Sequence, residues 1–175
     1  GQPSNPCCYI LYQDDSTAPV FVPSGSQSGV KIVGSCEVPV NGEITVTADF
    51  DVRKAVVQRG TTGSYILKPA NSIRLVVDNQ AGRIVATVSG ATGYDASDVH
   101  VYAYEDGTYS DDKTTANDSE SPLFPNAVTS SALNQEGEHV LAFLAEGTYD
   151  LVVAGYSGDS FVEVLGIQED VSVVS

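Results

Sequence analysis

The chain has 175 residues, 42% of them apolar, and 23 acids against 8 bases give it a formal charge of −15. That length can bury a core in one domain or two small ones, and that apolar content argues against disorder. The acidity argues against a nucleic-acid partner, which needs clustered Lys and Arg, and no apolar run approaches the roughly 20 residues of a membrane helix.

Sixteen Gly and eight Pro punctuate short apolar runs, with no Met and no Trp. This is an all-β composition. In chain order, "CYILY" at 8–12 and residues 20–22 open as strands. Ile44, Val46, Ala48, Phe50 and Val52 then alternate with Thr45, Thr47, Asp49, Asp51 and Arg53, the period of a half-buried strand. After the turn "RGTTGS" come "YILK" and "SIRLVVD". "NQAG" at 79–82 is the best domain boundary, giving domains at 1–79 and 80–175.

In the second part, "RIVATVSG" precedes "DVHVYAYEDG", a strand with Val99, Val101 and Ala103 on one face and His100, Tyr102 and Tyr104 on the other. A long polar loop covers 108–126. "EHVLAFLAEGTYDLVVAGYSG" reads as two strands joined at Ala145-Glu146-Gly147, and "SFVEVLGI" and "DVSVV" close the chain. Short strands with turns every 8–12 residues predict two small β-sandwiches.

Charge is unevenly spread. Residues 1–94 are neutral overall, whereas 95–175 hold 16 acids and Lys113 as their single base. Six of the eight bases lie between Arg53 and Arg83. A basic zone on one copy facing an acidic zone on another is one reading; an acidic surface that keeps a secreted protein soluble is the plainer one. The chain opens at Gly1 and contains no Met, which points to a processed product whose leader is removed.

No catalytic motif survives inspection. "GYSGD" at 155–159 lacks the last Gly of a nucleophile elbow, and His100 and His139 have no Asp or Ser at a suggestive spacing. Asp49, Asp51 and Arg53 share a predicted strand face, read as a solvated ion-pair stripe in preference to an acid/base pair. Asp106, Asp111 and Asp112 are weak calcium candidates in a loop that does not match the spaced ligand pattern, so no cofactor is expected. Asn117-Asp118-Ser119 fits the glycosylation sequon. A disulfide from Cys7 or Cys8 to Cys36 is expected, leaving an odd cysteine either free or bonded to another chain.

Pro23, Ser24, Gly25, Gln27, Gly29 and Lys31, then Asp49, Phe50, Asp51 and Lys54, then Tyr65, Leu67, Lys68 and Pro69 form an ordered pattern: PSG-x-Q-x-G-x-K, DFD-x-x-K, Y-x-LKP. This resembles the bacterial "domain of unknown function 4382" family. Residues 83–165 resemble a transthyretin-like sandwich, also seen as a carboxypeptidase regulatory-like domain. The resemblance implies a secreted or lipid-anchored surface protein without known catalysis. In that family the PSG segment lies well inside the domain; here about 20 residues precede it, so the resemblance implies that the opening strands are missing. A sandwich lacking strands exposes an edge that a neighbouring copy can fill.

The functional expectation is therefore an extracellular, non-enzymatic structural protein, a subunit of a filament or pilus-like fibre built by strand exchange between copies. Tyr9, Ile10 and Leu11 at one end, or Val171, Val173 and Val174 at the other, are the candidate assembly strands. The alternative is a monomeric surface module that binds glycan or protein through the Tyr102, Tyr104 and Tyr109 region.

Overall fold

The computed structural model describes residues 8–22, 32, 36–38, 40, 42–59, 63–68, 72–110, 123–158 and 160–174. These form β1 (Cys8–Leu11), β2 (Thr17–Phe21), β3 (Val46–Phe50), α1 (Val52–Ala55), β4 (Val56–Gln58), β5 (Tyr65–Leu67), β6 (Ile73–Val77), β7 (Ala81–Ala86), β8 (Val99–Glu105), β9 (Thr129–Ala132), β10 (His139–Ala145), β11 (Gly147–Ser157) and β12 (Ser160–Val173). The fold is all-β, as the composition predicts. Two compact units interleave along the chain: unit 1 draws on 1–36, 48–75 and 112–125, and unit 2 on 37–47, 76–111 and 126–175. β3 and β6 pair as a two-stranded ribbon.

Unit 1 contains a four-stranded sheet in the order β1-β2-β5-β4. β1 and β2 are an antiparallel hairpin, with Cys8 opposite Val20 and Leu11 opposite Thr17. Its turn is closed by Tyr12 N–H donating to Ser16 O at 2.9 Å, and Asp15 turns the chain with φ 62°. Asp14 stiffens that turn: its carboxylate accepts from Ser16 Oγ at 2.5 Å and Ser16 N at 3.0 Å. β2 runs parallel to β5, which returns antiparallel to β4. Ala18, Val20, Ala55, Val57 and Phe124 are this unit's buried apolar side chains among the described residues.

The alternating strand expected through Arg53 ends at Phe50. Asp51 instead caps α1, its carboxylate accepting from Arg53 N at 3.2 Å. An Asp in extended backbone ahead of a run without Gly or Pro favours a helical turn, and the cap outweighs continued alternation.

Unit 2 is a sandwich. The sheet β12-β11-β8-β9 faces the pair β10-β7, and Ile84, Val101, Ala103, Leu141, Leu144, Tyr149, Leu151 and Val173 fill the space between them. Leu141 and Leu144 are three residues apart, yet both are fully buried. A bulge between them makes this possible: Leu141 pairs with Ile84 and Leu144 with Gly82, with Phe143 at φ 57°. The extra residue resets the pleat, so both leucines point inward.

The opposite face of the large sheet is also covered. Tyr102 is 4% and Tyr104 0% exposed. Cross-strand register puts Tyr104 beside Asp150, Tyr102 beside Val152 and His100 beside Ala154. The expectation that these tyrosines form an outward binding face is therefore corrected. They are packed in a second apolar layer, where Tyr109 meets Tyr104 edge-to-face at 5.2 Å and Tyr156 meets His100 at 4.7 Å.

Candidate functional site

Several sequence-predicted residues serve the scaffold. Asp49 does not share an ion-pair stripe with Arg53; it takes Arg74, whose Nε and Nη2 both lie 2.7 Å from Asp49 Oδ2. Desolvation holds Lys54 below its ordinary pKa; the Asp51 carboxylate opposes that shift and Arg74 adds to it. Tyr65 shares a 2.9 Å hydroxyl–hydroxyl hydrogen bond with Tyr12, and Lys68 N–H donates to Ala55 O. Within this unit, then, the DFD-x-x-K and Y-x-LK residues cap, pair and pin the backbone. The PSG segment, from Pro23 to Gly29, and Lys31 lie outside the described residues, as does Pro69.

The cysteine expectation also changes. Cys8 is half-buried in β1, Cys36 is exposed in irregular backbone, and no disulfide joins them. Cys7 lies outside the described residues.

Asp106 is exposed in the turn after β8, where its N–H donates to Thr148 O; Asp111, Asp112 and the sequon at Asn117 fall outside the described residues. Among the described residues no group of three His, Cys, Asp or Glu side chains is placed to hold a metal. Both histidines pack: His100 lies against Tyr156, and His139, 1% exposed, donates from Nδ1 to Ser131 O at 3.2 Å, since a carbonyl can only accept.

The candidate assembly strands are both ordered in their own chain. β1 pairs with β2, but among the described residues it is the outermost strand of its sheet, and Tyr9 and Leu11 are 63% and 61% exposed while Ile10 is half-buried. At the other end Val171 and Val173 pair with Tyr149 and Gly147, Val173 is 3% exposed, and Val174 beyond the strand is exposed.

One concave site was missed in the sequence. In unit 2 a cleft of about 680 Å³ is lined by Thr92, Gly93, Tyr94, Asp95, Asp98, Tyr156, Ser157, Val162 and Glu163. Its floor is built by close approach: a Cβ at Gly155 would fall 2.6 Å from Tyr94 Cε1 and Cζ, so the ring rests directly on the β11 backbone. Tyr94 Oη then donates to Glu163 Oε1 at 2.9 Å. Desolvation first, and this bond second, raise the Tyr94 pKa above its ordinary value. Asp98 is set by a tight turn in which its N–H donates to Asp95 O at 2.9 Å. The one sequence signal was Gly155 itself, a glycine inside a strand.

Residues 6–69 match the family described as Domain of unknown function (DUF4382). The DFD-x-x-K and Y-x-LKP residues of unit 1 fall within this match, and the match stops before the second predicted domain. No curated protein and no solved structure matches the chain.

Proposed function

We propose that this chain is a non-enzymatic extracellular structural protein whose copies join by β-strand pairing into a filament. The single observation that carries this reading is the β1 edge. Among the described residues it is a sheet-terminal strand with Tyr9 and Leu11 turned to solvent, and it carries no Lys, Arg or Pro to blunt it. Unpaired edges with apolar side chains are templates for another strand, and proteins that stay monomeric usually guard them with charge or proline. The opposite edge of the same sheet among the described residues, β4, supplies a different surface, so β1-to-β4 pairing between copies is head-to-tail, the kind of contact that builds an open filament when its rotation does not close a ring. Unit 2 is read as the transthyretin-like sandwich that such a subunit carries beside its assembly domain.

Negative-stain microscopy and size-exclusion chromatography of the native protein test it. Long particles that shorten to monomers in Leu11→Lys or Tyr9→Lys, with circular dichroism unchanged, support the proposal. Compact monomers at every concentration, or particles of undiminished length in both variants, overturn it.

A further inference from the structure

We propose that the Tyr94–Glu163 cleft of unit 2 binds an organic cation, an alkylammonium or guanidinium group. The inference is independent of the β1 edge. Its basis is a preorganised aromatic plate with a rim of one charge sign. The Tyr94 ring is fixed twice, by contact of its face with the Gly155 backbone and by its hydroxyl bond to Glu163. A ring held in one orientation loses little freedom when a ligand covers it. Around it stand the carboxylates of Asp95, Asp98 and Glu163, and among the described residues no Lys, Arg or His lines the cleft. A concave wall of one sign focuses the field and concentrates ligands of the other.

The hydrogen-bonding chemistry agrees. The single hydroxyl proton of Tyr94 is already donated to Glu163, so the ring's polar edge and the rim mainly offer acceptors. A neutral sugar presents donors and acceptors in equal measure; an ammonium or guanidinium presents donors alone. A metal ion is a poorer occupant, because the three carboxylates do not converge as a metal-ligand group. The cation's apolar stem has Tyr156 and Val162 beside it, and its charge lies over an electron-rich ring face. Two sources carry this chemistry: a Lys or Arg side chain of a second copy, and a free amine.

The test is a titration of the full chain carrying Leu11→Lys, so that failure of β1 pairing does not disturb it. NMR signals of the Tyr94 ring, assigned through Tyr94→Phe, are followed against N-acetyl-arginine methylamide, tetramethylammonium, maltotriose and calcium chloride. The cationic probes are expected to shift these signals at low salt, with affinity falling about tenfold at 0.5 M salt as screening takes hold. Glu163→Gln should weaken binding several-fold. Tyr94→Leu, which leaves every carboxylate in place, should weaken it comparably, followed on the Tyr156 ring signals. A second copy as the source makes the Tyr94 signals move with protein concentration in the chain without Leu11→Lys, reversed by the free probe; a free amine as the source leaves them still until probe is added. Wild-type affinity in both variants overturns the proposal, as does tighter binding of maltotriose or calcium than of either cation.

Discussion

The hydroxyls of Tyr102 and Tyr156 lie 2.6 Å apart, bonded to each other within the covered second face of the large sheet. Two residues along the same strand, the Tyr104 hydroxyl is equally buried and has no hydrogen-bond partner among the described residues. Burial accordingly raises the Tyr104 pKa far above the ordinary tyrosine value, with neighbouring Tyr109 and Tyr102 adding to it. Phenylalanine at 102 or 156 removes this buried hydroxyl–hydroxyl bond, which costs about 1 kcal/mol, whereas Tyr104→Phe removes a penalty already present and is neutral or stabilising. Urea unfolding midpoints of the three variants separate these outcomes. A loss in Tyr104→Phe equal to that in Tyr102→Phe would contradict this account.

Asp150 makes a different kind of tie. It is 5% exposed, and its carboxylate accepts from Gly107 N at 2.9 Å and Asp170 N at 3.3 Å. One side chain thus holds the turn after β8 and the bulge in β12, where Asp170 sits at φ 61°. Asp150→Ala is expected to cost about 2–3 kcal/mol, because two backbone donors lose a charged acceptor together. Asp150→Asn, which keeps one acceptor oxygen, should cost less. Thermal unfolding of the two variants reads the order directly.

The β1–β2 hairpin should be acid-sensitive. Hydrogen bonds from the Ser16 hydroxyl, then the Ser16 N–H, hold the Asp14 carboxyl below its ordinary value of 3.8. A depressed folded-state pKa gives stability that is present above the unfolded value and lost as pH falls through the folded one. Amide exchange at Ile10 and Ala18 should therefore accelerate below about pH 4. Asp14→Asn should remove that pH dependence, and an unchanged acid profile in this variant would refute the assignment.

What the sequence disclosed, and what it hid, follows from the range of the forces involved. The alternation of β8 named its two faces correctly, with Val101 and Ala103 inward. It could not say that the Tyr102 face is also covered, since that depends on side chains distant in sequence. The strand at 139–145 resisted a period-two reading because the Phe143 bulge switches parity midway. Asp51 carried a legible capping signal, but four alternating apolar positions before it concealed the stop. The cleft joins Tyr94 to Gly155 and Glu163, whose spacing no local pattern encodes.

The C-terminal strand gives the last prediction. Were residues 170–175 an uncommitted donor, their loss would leave unit 2 intact. Instead Val173 is buried in that unit's core, so Val173→Ala should cost about 2 kcal/mol through lost burial and the void it leaves. Gly82 makes the contact specific: a Cβ there would collide with the Val173 side chain and lie 2.9 Å from the Val174 carbonyl oxygen. Gly82→Ala should accordingly loosen the end of β12. Shortening Val173 removes one of the two collisions, so the double variant should lose less than the two single losses added, by about 0.5 kcal/mol or more. Chemical unfolding of the four proteins closes the cycle. Strict additivity would mean that Val173 does not press on Gly82, and that the strand end is free to leave.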